Sequence, residues 1–389
     1  MLPDIPVKNC CGCTSCYNIC PKNAIEMIPD SEGFEYPVID KARCVECGMC
    51  VQACPIENPP ALSCKYEAEV VARNRSFDVL CESTSGGFID ALYRYVVVEL
   101  GGFGVGVSYD DEFMPVHTIT NDYETATGFR NSKYAQSKLA DTFSDMKILL
   151  ENEKTVLFVG TPCQVAGLKT FLRKDYENLF TVDLVCRSIP SPKLWREYIK
   201  WQETRHKSRV KKIICRKKTY GYHSGTLEIE FENSKKYSGS NRVDYYMKSF
   251  HKDICSRPSC YDCKFKTKHR SSDLTVFDCW EPQKVALEKL VDDDRGFSNV
   301  IAHSKKGKEL LSKLSDIQIY SASADKMFEF TGDMESKSIN RKAQRDTFYI
   351  DLQKLGFEEN AKKYVSVTKK DMLIEKLKPF VYFAKKMRK

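Results

Sequence analysis

Apolar residues along this chain keep two different periods, and both begin only after Asn58, Pro59 and Pro60. Residues 68–73 read as a strand, while residues 88–100 repeat apolar positions at helical spacing. Residues 155–160 (TVLFVG) form a β-branched and aromatic run of the kind buried on both faces of a sheet, and residues 165–172 return to the helical period. The alternation continues with a strand at 179–185, a helix at 193–206 and a strand at 273–277. From about Gly296 come a further strand, a helix at 305–315 and mixed polar helices. Strand–turn–helix units of this kind predict a mixed α/β body with a helical C-terminal region. The first sixty residues follow neither period and are organised instead by cysteine and proline.

Composition sharpens this division. The 389 residues are 42% hydrophobic, enough for the cores of two or three domains. Mean hydropathy is −0.44, and no uncharged apolar run approaches the ~20 residues of a membrane span. The opening MLPDIPVKNCCGC has neither a basic nor an apolar signal region, so a soluble cytoplasmic setting is expected. Of 18 cysteines, nine fall within residues 10–54, a density that points to metal rather than to disulfides in a reducing compartment. Residues 1–60 carry a net charge of −4, leaving +12 for the remainder of a chain whose total is +8. No nucleic-acid-binding module is evident in that basic remainder.

The cysteines of the first segment form an internal repeat. Cys10, Cys13, Cys16 and Cys20 precede Pro21, and Cys44, Cys47, Cys50 and Cys54 precede Pro55, both as C-x2-C-x2-C-x3-C-P. Three thiolates on one tight loop suit one iron–sulfur cube, and the fourth reaches the other cube. One 4Fe–4S cluster is therefore assigned to Cys10, Cys13, Cys16 and Cys54, and a second to Cys44, Cys47, Cys50 and Cys20. Zinc knuckles or disulfides are the alternatives, and neither calls for this doubled register. The segment resembles the bacterial two-cluster ferredoxin module over residues 5–58, giving a first domain at 1–60. Cys11 falls outside the repeat as a bystander.

Three places in the body carry candidate chemistry. The turn Ser83, Thr84, Ser85, Gly86, Gly87 opens a helix and offers backbone N–H groups to a phosphate, or serves simply as a cap. Thr161, Pro162, Cys163 and Gln164 join a strand to a helix, where a thiolate gains from the helix N-terminus. Cys163 is thus a ligand, a nucleophile, a cofactor neighbour or a small buried thiol. Cys255, Cys260 and Cys263 (C-x4-C-x2-C) look like a site lacking one ligand, for a third 4Fe–4S cluster or for zinc.

STSGGF, FRNSKYAQS (129–137), VLFVGTPCQVAGLKTFL, VDLVC-x3-PSPKLW and CSRPSCYDCKFK together resemble, in order, the beta-subunit family of coenzyme F420 hydrogenases and dehydrogenases. The resemblance covers about residues 66–350. It implies FAD, one body 4Fe–4S cluster, and electron exchange between them and a hydride donor or acceptor. By that similarity Ser83, Ser85, Gly86 and Gly87 line the flavin or its phosphates. Ser132, Lys133 and Tyr134 lie nearby, and Thr161, Pro162, Cys163 and Gln164 close the pocket. Lys133 and Cys163 are the catalytic candidates, since a lysine beside a flavin favours its anionic reduced form. Cys186, retained from a Cys-His-Gly of many relatives, is chosen as fourth ligand with Cys255, Cys260 and Cys263, with Cys279 and Cys163 in reserve. Arg187 and Ser188 replace the His-Gly, and Phe277 and Glu281 stand where relatives have glycines, which alters the substrate side of the flavin.

The expected architecture is α+β, with the ferredoxin-like domain, a flavin and Fe–S body at 66–295 and a C-terminal extension at 296–389. The expected function is an iron–sulfur flavoprotein oxidoreductase passing electrons between a ferredoxin-type donor, its clusters and FAD. A non-catalytic electron-transfer subunit feeding a partner oxidoreductase is the alternative. Residues 362–389 hold ten Lys/Arg against Asp371 and Glu375, interrupted by Pro379. That stretch reads as a basic solvated tail, or as a segment lying on an acidic membrane surface or docking a partner.

Overall fold

In the N-terminal segment the two cysteine loops bend through left-handed residues at equivalent positions of the repeat, Gly12 with Glu46 and Thr14 with Gly48. Each loop then enters a one-turn helix, Ser15–Asn18 or Met49–Gln52, and the loops flank an antiparallel pair, β1 (Ile25–Pro29) and β2 (Glu35–Ile39). The description rests on a computed structural model and covers residues 6–386.

The body is built on eight strands: β3 (Ala68–Asn74), β4 (Phe103–Tyr109), β5 (Pro115–Thr120), β6 (Val156–Gly160), β7 (Leu179–Leu184) and, beyond an insertion, three more. The insertion carries its own antiparallel sheet of β8 (Val210–Lys217), β9 (Thr226–Phe231) and β10 (Lys236–Gly239). The main sheet is completed by β11 (Leu274–Cys279), β12 (Phe297–Ala302) and β13 (Ile317–Ser321). Its order is β13-β3-β12-β11-β7-β6-β4-β5. Strands β4, β6, β7 and β11 run parallel, and their registers bring Gly160 opposite Asp183 and Val276 opposite Leu184. The carboxyl ends of the parallel strands therefore open on one side, where ligands settle in sheets of this type. All five residues of β6 are buried because helices cover both faces of the sheet.

The Pro162–Leu172 helix packs Val165, Leu168 and Phe171 against Phe143 and Phe158 on one face of the sheet. The opposite face is covered by Phe88, Leu92 and Val96. Inside the insertion, Trp195, Tyr198, Tyr246 and Phe250 pack with Phe348 and Tyr349 of the Arg345–Val365 helix into a third core. The sequence boundary placed before Gly296 does not divide the structure, because β12 sits between β11 and β3 in the interior of the sheet. The expected solvated tail is also replaced, by a continuous Lys369–Lys386 helix that runs through Pro379.

A partly buried ion pair ties the first segment to the C-terminal helices. Arg345, its side chain only 4% exposed, makes a forked contact with both carboxylate oxygens of Glu32 and donates to the Ser256 carbonyl at 3.0 Å. Removing one partner of a buried pair leaves the other charge uncompensated. Glu32→Ala is therefore expected to cost about 3 kcal/mol, read by denaturant unfolding, with Glu32→Gln losing less because it keeps hydrogen-bond acceptance.

Candidate functional site

At the carboxyl ends of the parallel strands lies a cavity of about 530 Å³. Its walls come from the ends of β4, β6, β7 and β11, the Ser83–Gly87 turn, the segment 129–137, and the Cys260–Cys263 loop of the insertion. Asn9, Cys11 and Ile56 reach it from the N-terminal segment.

The Ser/Gly turn is held rigidly. Gly86 donates its N–H to Ser298 Oγ at 3.1 Å, and Ser85 Oγ meets the same hydroxyl at 2.9 Å. A Cβ on Gly86 would lie 2.6 Å from the Ala72 carbonyl, so only glycine fits. Gly87, at φ +70°, caps the Phe88–Arg94 helix with no side chain covering its first N–H groups. Thr84, which sequence reasoning left aside, ties this turn to the neighbouring loop by accepting the Ser132 N–H at 2.9 Å. Beneath the turn, the Lys218 ammonium donates to the carbonyls of Leu80, Ser85 and Arg295.

Lys133 lines the cavity, but its ammonium is committed to its own loop, donating to the carbonyls of Gly128 (2.7 Å), Arg130 (2.8 Å) and Asn131 (3.3 Å). Burial draws its pKa down to about 7. Its place is thus that of a loop anchor, with the charge directed at backbone. Tyr134 stands beside Arg216, whose guanidinium pairs with Asp278 at 2.6 Å and lies over Trp280. Gln164 accepts the Thr161 N–H at 2.9 Å, closing the start of the Pro162–Leu172 helix, and donates to Ser137.

Around Cys186 the body thiols within electrostatic reach are Cys260, Cys263 and Cys163, the last of which is the reserve ligand of the sequence reading. Burial, reinforced by these neighbours, pushes Cys260 well above the ordinary thiol range and Cys186 up to about 12. Cys255 is elsewhere: wholly buried in the core of the insertion, it lies against Tyr246 and Tyr349, and its carbonyl accepts the Tyr349 hydroxyl at 2.6 Å. Ile254 and Cys255 are buried in that core, and the chain stays buried through Ser256 and Arg257. Cys279 faces Asp278, Glu281 and Asp292 instead. Cys186, Cys260 and Cys263, all raised by burial, keep their protons until a cation compensates the charge, which is the chemistry of a metal or cluster site.

In the first cysteine segment Cys16 is raised by burial and then by Cys13, Cys10 and Cys54, which lie within electrostatic reach of it. Cys20, Cys44, Cys47 and Cys50 line a separate small pocket with Ile25, Ile39 and Val45, and Cys47 is exposed. Among the described residues no cysteine is in a disulfide.

Cys11 joins the two regions. Its thiol interacts with those of Cys13 and Cys163, which raises its own pKa and lowers theirs. Four residues after Cys163, one helical turn on, Gly167 packs against Cys13, and its carbonyl accepts the Ser15 hydroxyl at 2.6 Å. Thr170 donates to the Ala53 carbonyl at 2.7 Å, so this helix grips both cluster loops. Arg257, 1% exposed, crosses the same boundary, donating to the carbonyls of Cys10 (2.8 Å) and Glu35 (2.9 Å) with Nη2 3.9 Å from Cys10 Sγ. The replaced residues have partners too. Arg187 forks onto Asp253, Ser188 accepts from Ser256, Phe277 stacks on Phe328, and Glu281 reaches Lys284 at the surface.

Residues 9–58 match the model of the 4Fe-4S dicluster domain, and residues 153–326 match that of the C terminus of the coenzyme F420 hydrogenase/dehydrogenase beta subunit. The chain is 24% identical over 315 residues to a coenzyme F420-dependent sulfite reductase of Methanocaldococcus jannaschii. That alignment covers 77% of this chain and 45% of the relative, so the chain spans less than half the length of that protein. An uncharacterized ferredoxin of the same organism is 46% identical over 46 residues, which is 12% of this chain and 27% of the ferredoxin. A chain of the F420-reducing NiFe hydrogenase complex from Methanosarcina barkeri aligns at 19% identity with a TM-score of 0.44, covering 77% of this chain and 91% of that one. The chain thus joins a 4Fe-4S dicluster domain, matched over residues 9–58, to a domain matched by the C terminus of the coenzyme F420 hydrogenase/dehydrogenase beta subunit over residues 153–326.

Proposed function

We propose that the chain is an iron–sulfur flavoprotein oxidoreductase whose N-terminal segment exchanges single electrons with a ferredoxin-type donor and whose body cavity holds FAD for reduction or oxidation of a second molecule. The observation that carries this reading is one cavity lined at once by Cys163, Cys186, Cys260 and Cys263, by the Ser83–Gly87 turn, and by Cys11 of the N-terminal segment. Cys10, Cys13, Cys16 and Cys54 would hold one 4Fe–4S cluster, Cys20, Cys44, Cys47 and Cys50 a second, and the four body thiols a third. Ser83, Ser85, Gly86 and Gly87, with Ser132, Tyr134 and Thr161, would hold the flavin and its phosphates. FAD, when bound, supplies the exchange between one-electron and two-electron chemistry.

The protein's own groups prepare this arrangement. Lys218 and Lys133 fix two adjoining loops of the cavity wall through backbone carbonyls. The uncapped N–H groups after Gly87 and the Arg216 guanidinium suit a phosphate-bearing ligand. The Pro162–Leu172 helix carries Cys163 at one end and seats Cys13 one turn later, so the two regions share one rigid element.

A second reading, an electron-transfer subunit for a partner oxidoreductase, is favoured by the 45% coverage of the sulfite reductase relative. The further length of that relative leaves room for a catalytic part that this chain would serve. Anaerobically purified protein is expected to contain about twelve irons and one flavin per chain, as three four-iron clusters and FAD require. About eight irons with one zinc and no flavin overturns the flavoenzyme reading. Turnover of a hydride donor or acceptor by the isolated chain separates the enzyme from the subunit. In the same preparation Cys16→Ser is expected to abolish reduction by ferredoxin while the flavin stays bound.

A further inference from the structure

The Lys369–Lys386 helix is amphipathic in the reverse sense to a helix packed on a globular protein. Asp371, Glu375, Lys378 and Tyr382 follow one another at heptad spacing and face the body. Asp371 pairs with Lys248 at 3.3 Å, and Glu375 accepts from the Ser240 N–H at 3.0 Å and from its hydroxyl at 2.6 Å. Lys378 donates to Thr226 at 3.2 Å, and Tyr382 meets Tyr220 edge-on. Polar groups therefore hold the helix to the protein, and the apolar side is turned away from it. Leu373 is 58% exposed, Leu377 47%, Phe380 72% and Phe383 60%.

Charge says what covers this face. Lys369, Lys370 and Lys376 are exposed on the same outward side of the helix, Lys369 and Lys376 among the apolar residues and Lys370 at their edge. The only two acids of the helix, Asp371 and Glu375, are both turned inward and paired. The outward surface thus presents apolar and cationic groups alone, with aromatic rings among them. A second copy of the chain would set these lysines against themselves. An anionic lipid surface accepts the apolar side chains at the acyl boundary and the ammonium groups at its phosphates. Among the described residues no helix is long and apolar enough to cross a membrane, so the contact would lie in the plane of the interface.

We propose that the Lys369–Lys386 helix docks the protein on the surface of an anionic phospholipid bilayer, with Leu373, Leu377, Phe380 and Phe383 inserted and Lys369, Lys370 and Lys376 on the headgroups. The test is co-sedimentation of the full chain with vesicles of phosphatidylcholine alone or with added phosphatidylglycerol. Binding to the anionic vesicles is expected to be about a hundredfold tighter, the effect of three lysines at a charged surface. It should weaken as salt is raised. The double variant Leu373→Glu, Phe380→Glu should lose it while keeping the iron content of the parent protein. Equal binding to both vesicles, binding to neither, or full binding by the double variant overturns the proposal. So does a dimer in solution, by light scattering, that the same double variant converts to monomer.

Discussion

Cys163→Ser is expected to lose about four irons per chain and to keep about eight, whereas Cys255→Ser keeps them all. The two residues have opposite surroundings. Cys163 sits at the start of a helix, beside Cys186, Cys260 and Cys263 and open to the cavity. Cys255 packs between tyrosines with no other cysteine among the influences on its thiol. A serine hydroxyl ionises far less readily than a thiol, so it cannot replace one corner of a four-thiolate set. Iron and sulfide analysis with electron paramagnetic resonance of the reduced protein gives the answer. Full iron in Cys163→Ser, or a loss of four in Cys255→Ser, refutes the ligand set.

The second large effect is expected from Gly167→Val. Helix propensity alone favours removing a mid-helix glycine, by up to about 1 kcal/mol with alanine. Packing opposes it more strongly. A Cβ at this position would lie 2.7 Å from Cys13 Cβ, 2.9 Å from its Sγ and 2.9 Å from Ser15 Oγ. Overpacking at such a contact costs about 1–3 kcal/mol, and here the yielding element is the loop of Cys10, Cys13 and Cys16. The variant should lose the irons of that set and retain those bound by Cys186, Cys260 and Cys263. A variant with parental iron content and parental unfolding midpoint would show that the helix does not seat the loop.

Much of this was readable from spacing. The doubled C-x2-C-x2-C-x3-C-P marks both loops and their short helices, because these are local structures. The strands β3, β6, β7 and β11 and the helices beginning near residues 88, 165 and 193 were legible because burial imposes apolar patterns that stand out from their flanks. What was hidden depended on distant partners. Arg257 meets the Cys10 carbonyl across 247 residues of sequence, and nothing near either residue announces it. Cys255 was grouped with Cys260 and Cys263 because C-x4-C-x2-C reads as one spacing, while the fold turns Cys255 into an apolar core. Cys11 looked idle for the same reason, since its neighbour Cys163 arrives only through the Pro162–Leu172 helix. The isolated glycine inside that helix was a usable signal of close approach. The C-terminal stretch was misread because Pro379 reads as a breaker, although the helix continues past it.

The proposed body set also sets a timetable. Cys10 to Cys54 emerge within the first seventh of the chain, whereas Cys163 must wait a further hundred residues for Cys263. A cross-link of that span restricts an unfolded chain by about 4.7 kcal/mol on a chain-entropy basis. During synthesis the N-terminal clusters can therefore be built on a nascent chain, while the body cluster can form only after the whole β8–β10 insertion has folded back onto β6 and β7. Iron starvation late in synthesis would yield a chain able to accept electrons at its head, with a body lacking the clamp that closes its cavity.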